Sequence, residues 1–410
     1  MNSFPERYKR IREQTELLAQ PLFAEDTVPQ PTTDVSPPKW HLAHTTWFFE
    51  NFILKKYSND FQPYDPHYDF LFNSYYKSQG DREARNKRGF HSRPTLNEVL
   101  EYRNHIDRKI LELSSFVQDS EFFTLIELGL QHEQQHQELF LTDLKYIWSF
   151  SPYHPVYAKT SEDSYLEKPI EWLKINEGIY QIGITDGKFH FDNESPNHKV
   201  YIYPFEISDR ITTAGEYIEF IEDGGYGKWE FWLHEGFHWV EENKIDSPMY
   251  WNKIDGDWYH YTLSGLKRIQ KHEVLTHINY YEADAFARWK GMRLPTESEW
   301  ETACLLYGMN DSKLNTLESG FFHPRFSIDE KNPGFLGQTW EWTSSAYLPY
   351  PGFKPWKGGI GEYNGKFMIN QMVLRGGSCF TPESHIRPSY RNFFHPHLGW
   401  QATGLRLVRS

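Results

Sequence analysis

The chain has 410 residues, 39% hydrophobic and 17% aromatic, with a formal net charge of −13. That length allows two or three domains with sizeable cores. The charge argues against nucleic acid or an anionic membrane as the main partner. Two cysteines, Cys304 and Cys379, make no disulfide framework and fit a reducing compartment. The stretch Met1 to Lys9 has no apolar signal segment, and no apolar run of about 18 residues occurs, so a soluble, cytoplasmic protein is expected.

Residues 1–150 read as helical. Glu6 to Leu18 is a polar amphipathic helix. A second helix should begin after Ser36-Pro37-Pro38, with prolines in its first turn, and run to about Tyr57. Residues 58–94 show no sustained period and read as loop. Thr95-Leu-Asn-Glu98 is a capping box that opens a third helix to about Ser115. The fourth spans about Glu121 to Ser149. Four such helices suggest an up-and-down bundle, a fold that builds metal sites from facing side chains. Residues 150–170 look like a linker. Beyond it come short β-like runs, Gly178–Gly183 and Lys199–Tyr203, separated by Gly, Asn, Asp and Pro clusters. Helical stretches are expected at Thr213–Ile221 and Tyr280–Lys290, and long aromatic loops over 222–260 and 305–370. No internal repeat is visible.

The chemistry centres on His132-Glu-Gln-Gln-His136. Two imidazoles four residues apart project from one helix face and can hold one metal ion. His44, in Trp40-His-Leu-Ala-His44, lies on a helix able to face them. A three-histidine site with open coordination positions follows, and imidazole suits Fe, Zn, Ni or Cu. A lone His pair at this spacing is more often a packing feature; the apolar helix and the third histidine weigh against that. Glu133 and Glu138 are rotated off the ligand face. His41 is a fallback ligand. Gln135 borders the face and can bond a substrate or water. Tyr75 and Tyr76, in the loop between the second and third helices, are candidate donors of a proton or electron. Arg82, Arg85 and Arg88 recur every three residues; they suit a carboxylate clamp and equally a solvated surface.

Three segments of the second half are specific: Asn279–Trp289 followed by Arg293-Leu-Pro-Thr-Glu-Ser-Glu-Trp-Glu301; Gly337-Gln-Thr-Trp-Glu-Trp-Thr343; and Leu374-Arg-Gly-Gly-Ser378 with Arg387-Pro-Ser-Tyr-Arg391 and Gly404-Leu-Arg-Leu407. Together they resemble the formylglycine-generating-enzyme domain, a C-type-lectin-like fold whose loops Trp and Arg would fix by stacking and salt bridges. That family's oxidation chemistry needs a cysteine pair after Arg-Gly-Gly-Ser. Only Cys379 is present here, with Thr381 and Ile386 where the pair would stand. The domain is therefore expected to line a substrate pocket rather than make formylglycine.

The Trp-His-Leu-Ala-His and Gln-His-Glu-x-Gln-His motifs resemble DinB-type bundles. The fused pair resembles the iron(II) sulfoxide synthases of ergothioneine biosynthesis. The resemblance implies an α+β protein, with a DinB-like four-helix bundle over 1–155 and a lectin-like domain over 156–410. It implies Fe(II) on His44, His132 and His136, and substrate contacts from Gln135 and the segment Asn392-Phe393-Phe394; Arg82 and Arg85 join the substrate-binding candidates from their spacing alone. One branch, using γ-glutamylcysteine, has Arg-Asn-Trp-Asp there; Phe394 replaces the aspartate. The branch using free cysteine has a Tyr-Tyr pair in the interhelical loop, matched by Tyr75 and Tyr76. Tyr350 is the nearest counterpart of the first branch's catalytic tyrosine. The expected reaction is O₂-dependent C–S bond formation with S-oxidation between cysteine and hercynine. Selenoneine-type and ovothiol-type synthases, a metal-dependent thiol S-transferase and a pure ligand-binding module are the alternatives. The sequence carries no signal for oligomeric state.

Overall fold

The computed structural model describes residues 4–160, 167–184, 187–308, 313–326, 332–357, 361 and 363–409. It divides into two compact units, Met1–Pro152 with Lys357–Glu362, and Tyr153–Trp356 with Tyr363–Ser410. Residues 161–166 of the expected linker lie outside the described residues. No described helix is long and apolar enough to cross a membrane.

The first unit is helical. Helix α1 (Phe4–Ala19) and helix α2 (Pro38–Phe49) are followed by a π-helical turn (Glu50–Leu54) and helix α3 (Lys55–Tyr57). The short helix α4 (Tyr68–Phe72) comes next, then α5 (Leu96–Ser114) and α6 (Ser120–Ser149). Pro37 caps α2 and Pro38 opens it, so the missing N–H falls where no partner is needed. All twelve residues of α2 are buried, which makes it the central helix of the unit. It packs on α1, α4, α5 and α6. The Thr95/Glu98 capping box opens α5 as expected. The expectation of a loop over 58–94 is corrected: α4 and two 3₁₀ turns, Lys77–Gln79 and Arg85–Phe90, lie within it. These pieces are too short to carry a helical period, so their signal is weak.

Glu133 on α6 binds the helices together from inside. It accepts from Arg12 Nη1 (2.6 Å), Arg103 Nη2 (2.9 Å) and Thr15 Oγ1 (2.5 Å), so α1, α5 and α6 meet at one buried carboxylate. Gly129, one turn before His132, has Phe49 against it; a Cβ there would lie 2.7 Å from the ring. Only glycine permits that approach of α2 to α6.

The second unit mixes short strands and helices. Strands β1 (Trp172–Ile175), β4 (Phe205–Ser208) and β12 (Val408–Arg409) form one antiparallel sheet, so the start and end of the unit share a sheet. Strands β2 (Gly178–Ile182) and β3 (His198–Ile202) pair where two β-like runs were expected. Strands β8 (Trp340–Ala346), β9 (Met372–Arg375), β10 (Asn392–Phe394) and β11 (Thr403–Gly404) form a mixed sheet in the order β10-β9-β8-β11. Helices α7 (Ala214–Glu222) and α9 (Tyr280–Trp289) fall where the helical stretches were read. The long loops are corrected. Helix α8 (His234–Asn243) and strands β5 (Trp251–Ile254) and β6 (Asp257–Thr262) interrupt the first, with β7 (Gly265–Arg268) completing their meander just beyond it, and β8 interrupts the second. Helix α10 (Glu297–Tyr307) carries the Glu-Ser-Glu-Trp-Glu segment.

The aromatic and arginine residues of the second half do the fixing expected of them. Glu297 accepts from Arg375 (3.0 Å) and from Arg391 Nε and Nη2 (2.9 and 3.0 Å). Glu341 accepts from Arg406 twice (3.0 Å each) and from Trp300 Nε1 (2.7 Å). Tyr350 is buried in the same cluster, donating to Glu297 (3.4 Å) and accepting from Arg375 (2.7 Å), with Arg391 4.0 Å over its ring. Both cysteines, Cys304 and Cys379, are buried.

Candidate metal centre

Helix α2 presents His44 and α6 presents His132 and His136. One ligand nitrogen from each lies within 4.8 Å of the others, and all three side chains are buried. Ring centroids are 4.6–5.0 Å apart.

Each imidazole is oriented by its surroundings. His44 Nδ1 donates to the Phe72 carbonyl (2.6 Å), one of the carbonyls left open at the C-terminal end of α4. That leaves Nε2 with its lone pair, buried and without a hydrogen-bond partner. Trp40 stacks on His44 at 4.4 Å. Asp69, Leu71 and Phe72 each accept a hydrogen bond from α2, from Trp47 Nε1, Trp40 Nε1 and His44. The α4 segment, read as loop from sequence, therefore sets the angle of the first histidine.

His136 is held through a chain. His41 Nε2 lies 3.1 Å from Asp143 Oδ2, which also accepts from Ser36 N (2.8 Å). The carboxylate can only accept, so His41 Nε2 donates and its Nδ1 accepts from His136 Nδ1 at 2.8 Å. His136 Nε2 then carries the lone pair. His41 thus orients a neighbour and does not join the three. Asp143 was not singled out from sequence; its spacing of seven residues from His136 on one helix was the available signal.

His132 packs beside Phe48 at 5.0 Å, and neither of its ring nitrogens has a hydrogen-bond partner. Burial pushes its pKa down to about 4. Burial, then the neighbouring histidines, hold His136 well below the usual range; burial and His132 do the same for His44. Neutral imidazoles with unspent lone pairs are what a metal takes up. The buried, unpartnered nitrogens and the all-nitrogen donor set fit a divalent transition metal. Glu133 is spent on Arg12, Arg103 and Thr15 and points away.

The remaining candidates are placed as follows. Gln135 is half-buried on α6 beside His136. Tyr76 is buried against Trp47, Phe48 and Phe52, with ring centroids at 5.8, 6.5 and 5.0 Å. Its ring is thus one aromatic layer from the imidazoles, and Tyr75 is half-buried 5.2 Å from it. The arginine run does not converge. Arg82 is exposed, and Arg85 is exposed and donates to the Asp34 carbonyl (2.6 Å). Arg88 alone turns inward, 3.5 Å over the Trp40 ring and 2.9 Å from Ser36 Oγ. Burial, with Arg85 nearby, lowers its pKa to about 9. It borders a cavity with Lys39, Trp40, His91 and Arg93. Asn392, Phe393 and Phe394 form β10 in the second unit. Asn392 Oδ1 accepts from Phe393 N (2.9 Å), Phe393 stacks on Tyr347 at 4.0 Å, and Phe394 lies 5.5 Å from Trp400.

Residues 159–318 and 333–410 match the family model described as the sulfatase-modifying factor enzyme 1-like domain, and the chain belongs to that family. Over 321 residues it is 29% identical to the hercynine oxygenase of Mycobacterium tuberculosis, covering 72% of this chain and 73% of the relative. It is 32% identical over 241 residues to the hercynine oxygenase of Mycolicibacterium smegmatis (53% and 55% of the two chains). It is also 27% identical over 241 residues to ergothioneine biosynthesis protein 1 of Schizosaccharomyces pombe (55% and 28%). These likenesses bear out the resemblance to the ergothioneine sulfoxide synthases. The chain spans just over half the length of the second relative and about a quarter of the third.

Proposed function

We propose that this protein is an iron(II)- and O₂-dependent sulfoxide synthase that joins cysteine to the imidazole carbon between the two nitrogens of hercynine. The first unit is then a DinB-type bundle, and His44, His132 and His136 hold the ion. The observation that carries this reading is the convergence of three buried imidazoles, one ligand nitrogen of each within 4.8 Å of the others, with His44 Nε2 and both His132 nitrogens lacking hydrogen-bond partners. The likeness to hercynine oxygenases supports the substrate.

Iron(II), held by His44, His132 and His136, would supply a redox-active Lewis acid for the thiol and O₂ chemistry. In the overall reaction a C–H and an S–H bond break, a C–S bond forms, and the sulfur gains one oxygen. O₂ takes up four electrons: one oxygen goes to the sulfoxide and the other to water. The protein's part is positioning and proton supply. Gln135, beside His136, hydrogen-bonds the imidazole substrate. The Tyr75–Tyr76 pair supplies the proton that completes reduction of the second oxygen. Arg88, the inward member of its run, holds a substrate carboxylate. Phe394, which stands in the sequence where the γ-glutamylcysteine-using branch has an aspartate, favours cysteine as the thiol donor.

The test is turnover of purified protein with Fe(II), O₂, hercynine and cysteine, followed by mass spectrometry. The sulfoxide is expected, and His136→Ala should lose both iron and product. Full turnover by that variant would overturn the ligand assignment. Turnover without oxygen would point to a thiol S-transferase instead.

A further inference from the structure

The second unit carries a cluster that this chemistry does not use. His260 on β6, Glu273 after β7, and His323 on the loop after the 3₁₀ turn Leu317–Ser319 bring one ligand atom each to within 4.8 Å of one another. His260 and Glu273 are 5% and 3% exposed, and the His323 side chain is 15% exposed. His260 Nε2 is 3.5 Å from Glu273 Oε1, and His323 Nε2 is 3.7 Å from Glu273 Oε2.

Those separations are informative. An N–H···O bond runs about 2.7–3.2 Å, so neither contact is one. Ligands about 2.1 Å from a tetrahedral ion are separated by roughly 3.4 Å. Each histidine thus stands at nearly that spacing from one of the two Glu273 oxygens, and one ligand atom from each of the three residues lies within 4.8 Å of the others. His323 Nε2 is buried and has no hydrogen-bond partner. The backbone around the cluster is held independently of any ion. The Glu273 carbonyl accepts from Ala214 N at the start of α7 (2.9 Å), and the His323 carbonyl accepts from Asn315 Nδ2 (3.0 Å). Phe322, directly before His323, has φ +51°, a left-handed conformation a bulky residue adopts only when its surroundings impose it.

We propose that His260, Glu273 and His323 form a second metal site, for a zinc-class divalent ion. Two imidazoles and one carboxylate suit such an ion. Three protein ligands leave a fourth position for water, on the side where His323 reaches the surface. The ion would clip the β5–β7 meander, the segment entering α7 and the His323 loop to one another, so binding stabilises the second unit. No residue of this cluster belongs to the three-histidine centre, and the proposal stands whether or not the sulfoxide-synthase reading does.

The experiment uses the full chain carrying His132→Ala and His136→Ala, which silences the first centre. After dialysis against Zn(II), metal analysis should find about one equivalent per chain, and Co(II) in its place should give a tetrahedral visible spectrum. Adding Glu273→Gln, nearly isosteric, or His323→Ala, at a partly exposed position, should weaken binding at least about tenfold and abolish the rise of Tm with Zn(II). No zinc retained by the silenced chain would overturn the proposal. So would zinc retained equally with and without Glu273→Gln, which decides the matter should His323→Ala fail to fold.

Discussion

At the residue scale, much of the candidate centre was readable as spacing. His132 and His136 share a face because four residues make just over one turn, and their rings do lie together. Which nitrogens are available was not readable, because hydrogen bonds to residues distant in the chain decide it: Phe72 for His44, and His41 with Asp143 for His136. This yields a prediction. Asp143→Asn should loosen His41 and weaken metal affinity by about 10–100-fold, measured by chelator competition, while leaving all three imidazoles in place. Unchanged affinity would show that the His41 chain orients nothing. Glu282, in the second unit, gives a pH test. Burial raises its pKa from 4.5 to about 7, although Asn279 N and Tyr226 donate to it. The folded chain holds this proton more tightly than the unfolded one. The stability it contributes is complete below pH of about 4.5 and is lost as pH rises through about 7. The loss is on the order of 3 kcal/mol at most. Denaturant titrations across that window should show this slope in the parent chain and a flatter one in Glu282→Gln.

At the element scale, long amphipathic helices and their caps were legible. The Thr95 side chain accepts from Glu98 N, and Glu98 reaches back to Thr95 N (2.6 Å). Thr95→Ala should therefore cost about 1 kcal/mol, read as a fall in the denaturation midpoint, with the metal centre unaffected. Short elements were not legible. Helix α4 spans five residues, and nothing in Tyr68–Phe72 marks a helix; its place is secured by Trp47, Trp40 and His44 reaching to it from α2. The π turn Glu50–Leu54 has the same character. Glu50 accepts from Tyr102 and from Tyr64 N, and Asn51 donates to Asp69 (2.8 Å), contacts no local pattern announces. The β5–β7 meander was hidden by its aromatic and charged residues, which read as loop.

At the scale of the whole molecule, the second unit depends on buried charge more than on long regular elements. Arg406 near the C-terminus spans Glu341 on β8 and the carbonyls of Ser208, Pro333 and Gly334. Glu341→Ala would leave that guanidinium and the Trp300 N–H without their carboxylate. A loss of about 3–5 kcal/mol is expected, visible as an early thermal transition of the second unit, and Glu341→Gln should lose less. A chain whose Tm is unaffected by Glu341→Ala would show that the network is not what holds these segments.

The order of long helices, the capping boxes, the pairing of His132 with His136 and the family of the second half are local properties. They follow from which side chains recur at which spacing, and the linear chain carries that information. The Asp143–His41–His136 chain, the inward turn of Arg88 while Arg82 and Arg85 stay outside, and the meeting of His260, Glu273 and His323 are not local. Each joins segments tens of residues apart through distances of a few ångströms. Only the packed chain fixes those distances, because they follow from how whole elements bury their faces and not from any one stretch.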